Sequence, residues 1–221
     1  MEYELFKKCV FDYSKLLNYG FKEENNIYYY EKYILDNNYK ICIKIENNNV
    51  IGKIYDLIFN DEYLNLNVNS NLSFNNKIKE EYIKVLKDIK VKCTKESLFV
   101  FKQSNEITSY IKRKYKVNPE FLWKESSGNG VFRNKYNKKW FGIILNVSKN
   151  KLDSNYKQEE VEVINIKLDE IMINELLKDK GFFKAYHMNK KSWISIILDS
   201  SLDNEIIYSL IDQSYDIVNK K

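Results

Sequence analysis

The sequence predicts an α+β protein made of two successive units, each an antiparallel sheet with helices. Three observations predict it. Within each half, apolar residues recur first at helical spacing, then at strand spacing, then at helical spacing again, an order of helix, meander and helix. The strand-like runs are separated by short Asn- and Asp-rich turns, which join antiparallel neighbours. At 221 residues, with 44% hydrophobic and 15% aromatic content, the chain can bury two modest cores, and helix periodicity lapses near residues 93–98 without a Gly/Pro/Ser linker. The expected units are therefore 1–97 and 98–221.

Residues 5–18 are predicted as the first helix, because Leu5, Phe6, Cys9, Val10, Tyr13, Leu16 and Leu17 share one face, and Gly20 ends it. A polar turn over 23–26 leads to a strand over 27–35, closed by Asp36-Asn37-Asn38. Tyr39, Ile41, Ile43 and Ile45 then alternate with Lys40, Cys42, Lys44 and Glu46, the pattern of a strand covered on one side. Asn47-Asn48-Asn49 is a hairpin loop. Strands over 50–59 and 62–68, joined at Asn60-Asp61, continue the meander, and a helix over 75–91 buries Ile78, Tyr82, Val85, Leu86 and Ile89. The tyrosines Tyr28, Tyr29, Tyr30, Tyr33, Tyr39 and Tyr55 suit half-buried strand positions better than a ligand groove.

In the carboxyl half a helix over 105–116 turns Ile107, Tyr110 and Ile111 inward and Lys112, Arg113 and Lys114 outward, and Pro119 bars its continuation. Phe121-Leu122-Trp123 is a short strand and Ser126-Ser127-Gly128-Asn129-Gly130 a turn. Val131-Phe132-Arg133-Asn134 and a long apolar run over 140–147 flank Lys135-Tyr136-Asn137-Lys138, a hairpin with a basic tip. A loop over 150–157 precedes a strand over 161–168. Asp169 caps a helix through Lys180 that stops at Gly181. Residues 181–192 form an aromatic, basic turn; the β-branched run behind Trp193 is a buried strand, and a helix over 203–218 finishes the chain. Trp140 and Trp193, at strand starts beside apolar runs, are read as core.

Charge divides the chain. Lysines equal acids through Leu98, so the whole net charge of +5 falls on the remainder, and residues 110–140 hold nine basic side chains against two acidic ones. Such a concentration attracts phosphates over distance. Cys9, Cys42 and Cys93 are scattered, odd in number and far from a histidine, so they are read as buried or free thiols, with no metal site. No cofactor is implied. No apolar run approaches the length of a membrane span, and the polar start Met1-Glu2-Tyr3-Glu4 is unlike a signal peptide; a cytoplasmic protein is expected.

Residues 105–218 resemble the MmcQ/YjbR family. The resemblance rests on Gly130-Val131-Phe132-Arg133, Lys139-Trp140-Phe141-Gly142, the strand-then-helix order after Val163, Gly181-Phe182, Ala185-Tyr186-His187-Met188-Asn189-Lys190, Trp193-Ile194, and Ser214-Tyr215 in the closing helix. It implies a CyaY-like, double-wing arrangement of antiparallel sheet and helices, with DNA as the expected partner. The family pattern places histidine immediately before the tryptophan. Here that position is Ser192, which weakens any role for an imidazole.

The expected function is thus non-enzymatic DNA binding with low sequence specificity. Arg133, Lys135, Lys138 and Lys139 on the hairpin, with Lys184, His187, Asn189, Lys190 and Lys191 on the turn before the last strand, are the candidate phosphate-gripping residues. His187, the only histidine, has no Ser, Cys or carboxylate beside it in a triad pattern, so no catalytic residue is assigned. GxGxxG, P-loop, GxSxG and HExxH motifs are all missing. The alternative is a protein-interaction or small-ligand-binding module without a nucleic-acid role, which would show an exposed apolar patch or a concave aromatic pocket.

Overall fold

The computed structural model describes residues 1–64, 73–124 and 128–220. The chain divides into two compact units, Met1–Ser97 and Leu98–Lys221, both α+β.

The first unit runs α1 (Glu2–Phe6), β1 (Cys9–Phe11), α2 (Tyr13–Tyr19), β2 (Lys22–Glu24), β3 (Ile27–Ile34), β4 (Tyr39–Glu46), β5 (Asn49–Asp56), β6 (Asp61–Glu62), α3 (Ser73–Cys93) and β7 (Thr94–Glu96). The single helix expected over 5–18 is instead two short helices around a strand. The Asp12 carboxylate accepts the Lys15 N–H at 3.3 Å and caps α2, while β1 pairs antiparallel with β7. Asn48 clamps β1 from a distant hairpin, accepting the Phe11 N–H at 3.2 Å and donating to the Cys9 carbonyl at 2.8 Å. A local cap and a long-range strand pairing together outcompete the helical stripe, whose Val10 and Leu17 end up exposed. Gly20 does end α2, at φ +115°.

The expected turn over 23–26 is shorter, because residues 22–24 extend as β2 and only Asn25 and Asn26 turn. Both take positive φ, as do Asn47 and Asn48 in the β4–β5 hairpin, the left-handed geometry that asparagine tolerates and two-residue hairpins require. The sheet order is β2-β3-β4-β5-β6. Residues 65–68 of the expected last strand lie outside the described residues. The alternation read in β4 holds: Tyr39, Ile41, Ile43 and Ile45 are buried in one cluster with Ile78, Tyr82, Val85, Leu86 and Ile89 of α3. Gly52 on β5 is what lets Tyr82 seat, since a Cβ there would lie 1.6 Å from its hydroxyl.

The second unit runs α4 (Lys102–Tyr115), β8 (Gly130–Arg133), β9 (Trp140–Ser148), β10 (Glu160–Lys167), α5 (Glu170–Leu176), β11 (Phe182–Lys184), β12 (Trp193–Ile197) and α6 (Asn204–Asn219). Its antiparallel sheet has the order β11-β12-β10-β9-β8. Three local expectations change. Residues 121–123 are not a strand; only Glu120 bridges Val131. The Ser126-Ser127 part of the expected turn lies outside the described residues. The helix capped by Asp169 ends at Leu176, where i→i−3 bonds from Lys178 and Asp179 tighten the chain toward Gly181 at φ +92°. The start of the basic turn, residues 182–184, is an edge strand, drawn out by pairing with β12 and by burial of Phe182.

One face of this sheet, with Phe132, Phe141, Ile144, Ile164, Ile166, Ile194 and Ile196, shares a core with Ile107 and Ile111 of α4 and Ile207, Leu210, Ile211 and Val218 of α6. The other carries Val131, Ile143, Leu145, Val147, Val161, Val163 and Ile197, also buried. Each such side chain contributes roughly 1.5–3 kcal/mol by leaving water.

Between α4 and α6 lies an ion-centred staple. The Asp212 carboxylate accepts from Tyr110 at 2.8 Å, from Lys114 at 2.6 Å and from the Tyr115 hydroxyl, with Tyr110 stacked on Tyr208 and Tyr115 on Tyr215. Burial pushes the Asp212 carboxyl up, but the hydrogen bonds from Lys114, Tyr115 and Tyr110 outweigh it and hold it below its usual range. The stability from this depressed group is present above the unfolded carboxylate range, near pH 4, and is lost as pH falls through the lower folded value. Asp212→Asn is expected to lose about 2 kcal/mol at neutral pH and to flatten the acid limb of stability, read by urea unfolding at pH 7 and pH 3. An acid limb as steep as that of the parent would sink this assignment.

Candidate nucleic-acid interface

Register places both basic loops at one end of the carboxyl-terminal sheet. Arg133 pairs with Trp140, Gly142 with Ile166, Lys167 with Trp193, and Lys184 with Ile194, so the β8–β9 loop, the end of β10 and the β11–β12 loop emerge together. With strands about 4.8 Å apart, the β9 and β12 arms stand roughly 10 Å apart and the outer strands about 19 Å.

Side-chain hydrogen bonds shape each loop. In residues 134–139, the buried Asn134 side chain accepts the Tyr136 N–H at 2.9 Å and donates to Asn219 at 3.2 Å, while Asn137 donates to the Val218 carbonyl at 2.8 Å. The hairpin is thereby clipped to the end of α6. Ser214 anchors that helix in turn, donating to the Phe141 carbonyl at 2.5 Å and accepting the Lys167 N–H at 2.8 Å.

The second loop hangs on a buried polar pair. Ser195 donates to Asn165 at 2.6 Å; Asn165 donates to the Tyr186 carbonyl and Ser195 accepts the Tyr186 N–H, at 2.8 and 2.9 Å. Both backbone groups of Tyr186 are fixed, and His187 follows at φ +57°, exposed, its ring edge-on to Tyr186. Asn189 accepts the Lys191 N–H at 2.9 Å, so its side chain serves the turn itself.

Lys135, Lys138, Lys139, Lys184, Lys190 and Lys191 are exposed and have no ion-pair partner among the described residues. Arg133 differs. Its guanidinium bonds Glu120 at 3.0 Å and lies 5.3 Å from the Trp140 ring centre, so it braces the hairpin base. Trp193 is core, whereas Trp140 is half-buried beneath Arg133. A cavity of about 400 Å3 opens at the same end, lined among others by Lys167, Asp169, Lys191, Ser192, Ile217 and Lys220. Sequence reading passed over Lys167, Lys220 and the Asn165–Ser195 pair. The available signal was a polar side chain inside an apolar strand, which must find a partner when buried.

A family model described as YjbR matches residues 112–217. The Bacillus subtilis (strain 168) protein described as uncharacterized protein YyaQ is 33% identical over 110 residues, 50% of this chain and 92% of that protein. Among solved structures, a Pseudomonas syringae protein is 30% identical, covering 51% of this chain and 95% of that one, with a TM-score of 0.49. A Deinococcus radiodurans protein is 21% identical, covering 54% of this chain and 80% of that one, with a TM-score of 0.42.

Proposed function

The chain belongs to the YjbR family through its carboxyl-terminal half, and from that membership we propose that this unit binds DNA by its phosphate backbone without catalysing a reaction on it. The observation that carries the reading is the convergence of six exposed lysines, free of ion pairs among the described residues, five from two loops and Lys184 from the end of β11, at one end of one sheet. Such ammonium groups turn to phosphate oxygens at little cost, whereas Arg133 would first have to leave Glu120. Because phosphate contacts carry no base information, sequence preference is weak.

The test is fluorescence anisotropy of labelled DNA across a range of salt. Micromolar binding is expected, with a log–log salt slope of about −3 to −6 for four to six neutralised phosphates. Changing Lys135, Lys138, Lys190 and Lys191 together to Ala should shrink the slope by about 3 to 4, and the DNA should be recovered intact. Absence of binding at low salt would overturn the proposal.

A further inference from the structure

The basic hairpin also carries an aromatic ring that its own fold does not use. Tyr136, at the tip, is 74% exposed, although the tip is held by its backbone N–H and by Asn134 and Asn137. Its ring meets the Lys135 ammonium, 4.8 Å from the ring centre. Three residues of chain, at most about 11 Å, separate it from Arg133. There Arg133 stacks on Trp140, and Trp123 stands edge-on to Trp140 at 6.1 Å with 40% of its surface exposed. Exposed aromatic faces interleaved with cations are costly to leave in water and are matched by a ligand that offers flat π-faces and negative charge in alternation.

Resting on the DNA-binding reading, we propose that the preferred ligand is single-stranded, with an unpaired base stacked on Tyr136 and another base of the same strand on Trp123, while Lys135, Lys138 and Lys139 take phosphates of that strand. In a duplex the base faces are already stacked on one another. Only an unpaired strand presents them to a protein ring, and every base has such a face, so the preference is for strand state and not for sequence.

The experiment compares single- and double-stranded oligonucleotides of the same sequence at matched salt, using anisotropy and quenching of tryptophan emission. The expected result is tighter single-strand binding with quenching. Tyr136→Ala should weaken it roughly five- to 150-fold, and Tyr136→Phe, which keeps the ring, should not. Stacking releases no counterions, so that loss persists as salt rises, unlike the loss from the lysine variant. Unchanged single-strand affinity in Tyr136→Ala, or equal affinity for the two forms, overturns the stacking inference. If the lysine variant still loses binding in that case, the phosphate-backbone reading stands. No binding of either form removes both.

Discussion

Glu162→Ala is expected to lower the stability of the Leu98–Lys221 unit by about 3 kcal/mol, through loss of one buried charged acceptor that serves two half-buried backbone donors. Glu162 is 1% exposed in the middle of an apolar sheet. Its carboxylate accepts the Val100 N–H at 2.9 Å and the Phe101 N–H at 3.1 Å, immediately before α4 begins. A negative charge there also complements the positive end of the helix dipole. Alanine leaves both N–H groups without an acceptor and opens a void. Glu162→Gln should cost less, because one acceptor oxygen remains. Trp123, Trp140 and Trp193 all lie in this unit, so urea unfolding followed by tryptophan emission reads it directly. An unfolding midpoint unchanged by Glu162→Ala would show that the carboxylate does not hold the start of α4.

In the other unit, Gly52→Ala is expected to cost about 3 kcal/mol by overpacking. An added Cβ would meet the Tyr82 hydroxyl at 1.6 Å and its Cζ at 2.6 Å, and Tyr82 is fully buried with its hydroxyl donating to Glu2. Relief requires a shift of sheet backbone or of the Tyr82 ring, which is packed in the core cluster and hydrogen-bonded to Glu2. Native-state hydrogen exchange of the β4, β5 and α3 amides should show the loss. In a Tyr82→Leu background the added cost should fall below about 1 kcal/mol, because the two sites share one clash. An equal cost in both backgrounds would place the strain elsewhere.

Much of the fold was legible where the physics is short-ranged. The α3 stripe and the alternation of β4 are each fixed by residues within a few positions of one another, and both are visible in the spacing. So are the stop at Gly20 and the cap at Asp169, which donates nothing but accepts the Met172 N–H at 2.9 Å. The YjbR resemblance was equally readable, because its motifs are local strings in a fixed order. Where the fold departs from the local spacing, a distant strand is the cause. Cys9–Phe11 has helical spacing, yet β7, more than eighty residues away, makes it a strand. Phe182–Lys184 looks like part of a turn until β12 pairs with it.

The candidate interface divides along the same line. Composition and local pattern alone determined that the carboxyl half is α+β, basic and equipped with two lysine-bearing loops. Only the tertiary structure decided that those loops share one end of a sheet, that Arg133 is bound to Glu120, and that Tyr136 stays exposed. Strand order and register are set by pairings between distant segments, each favoured only once the whole core is in place. Propensity and spacing act over a few residues and carry no information about which distant segment will arrive.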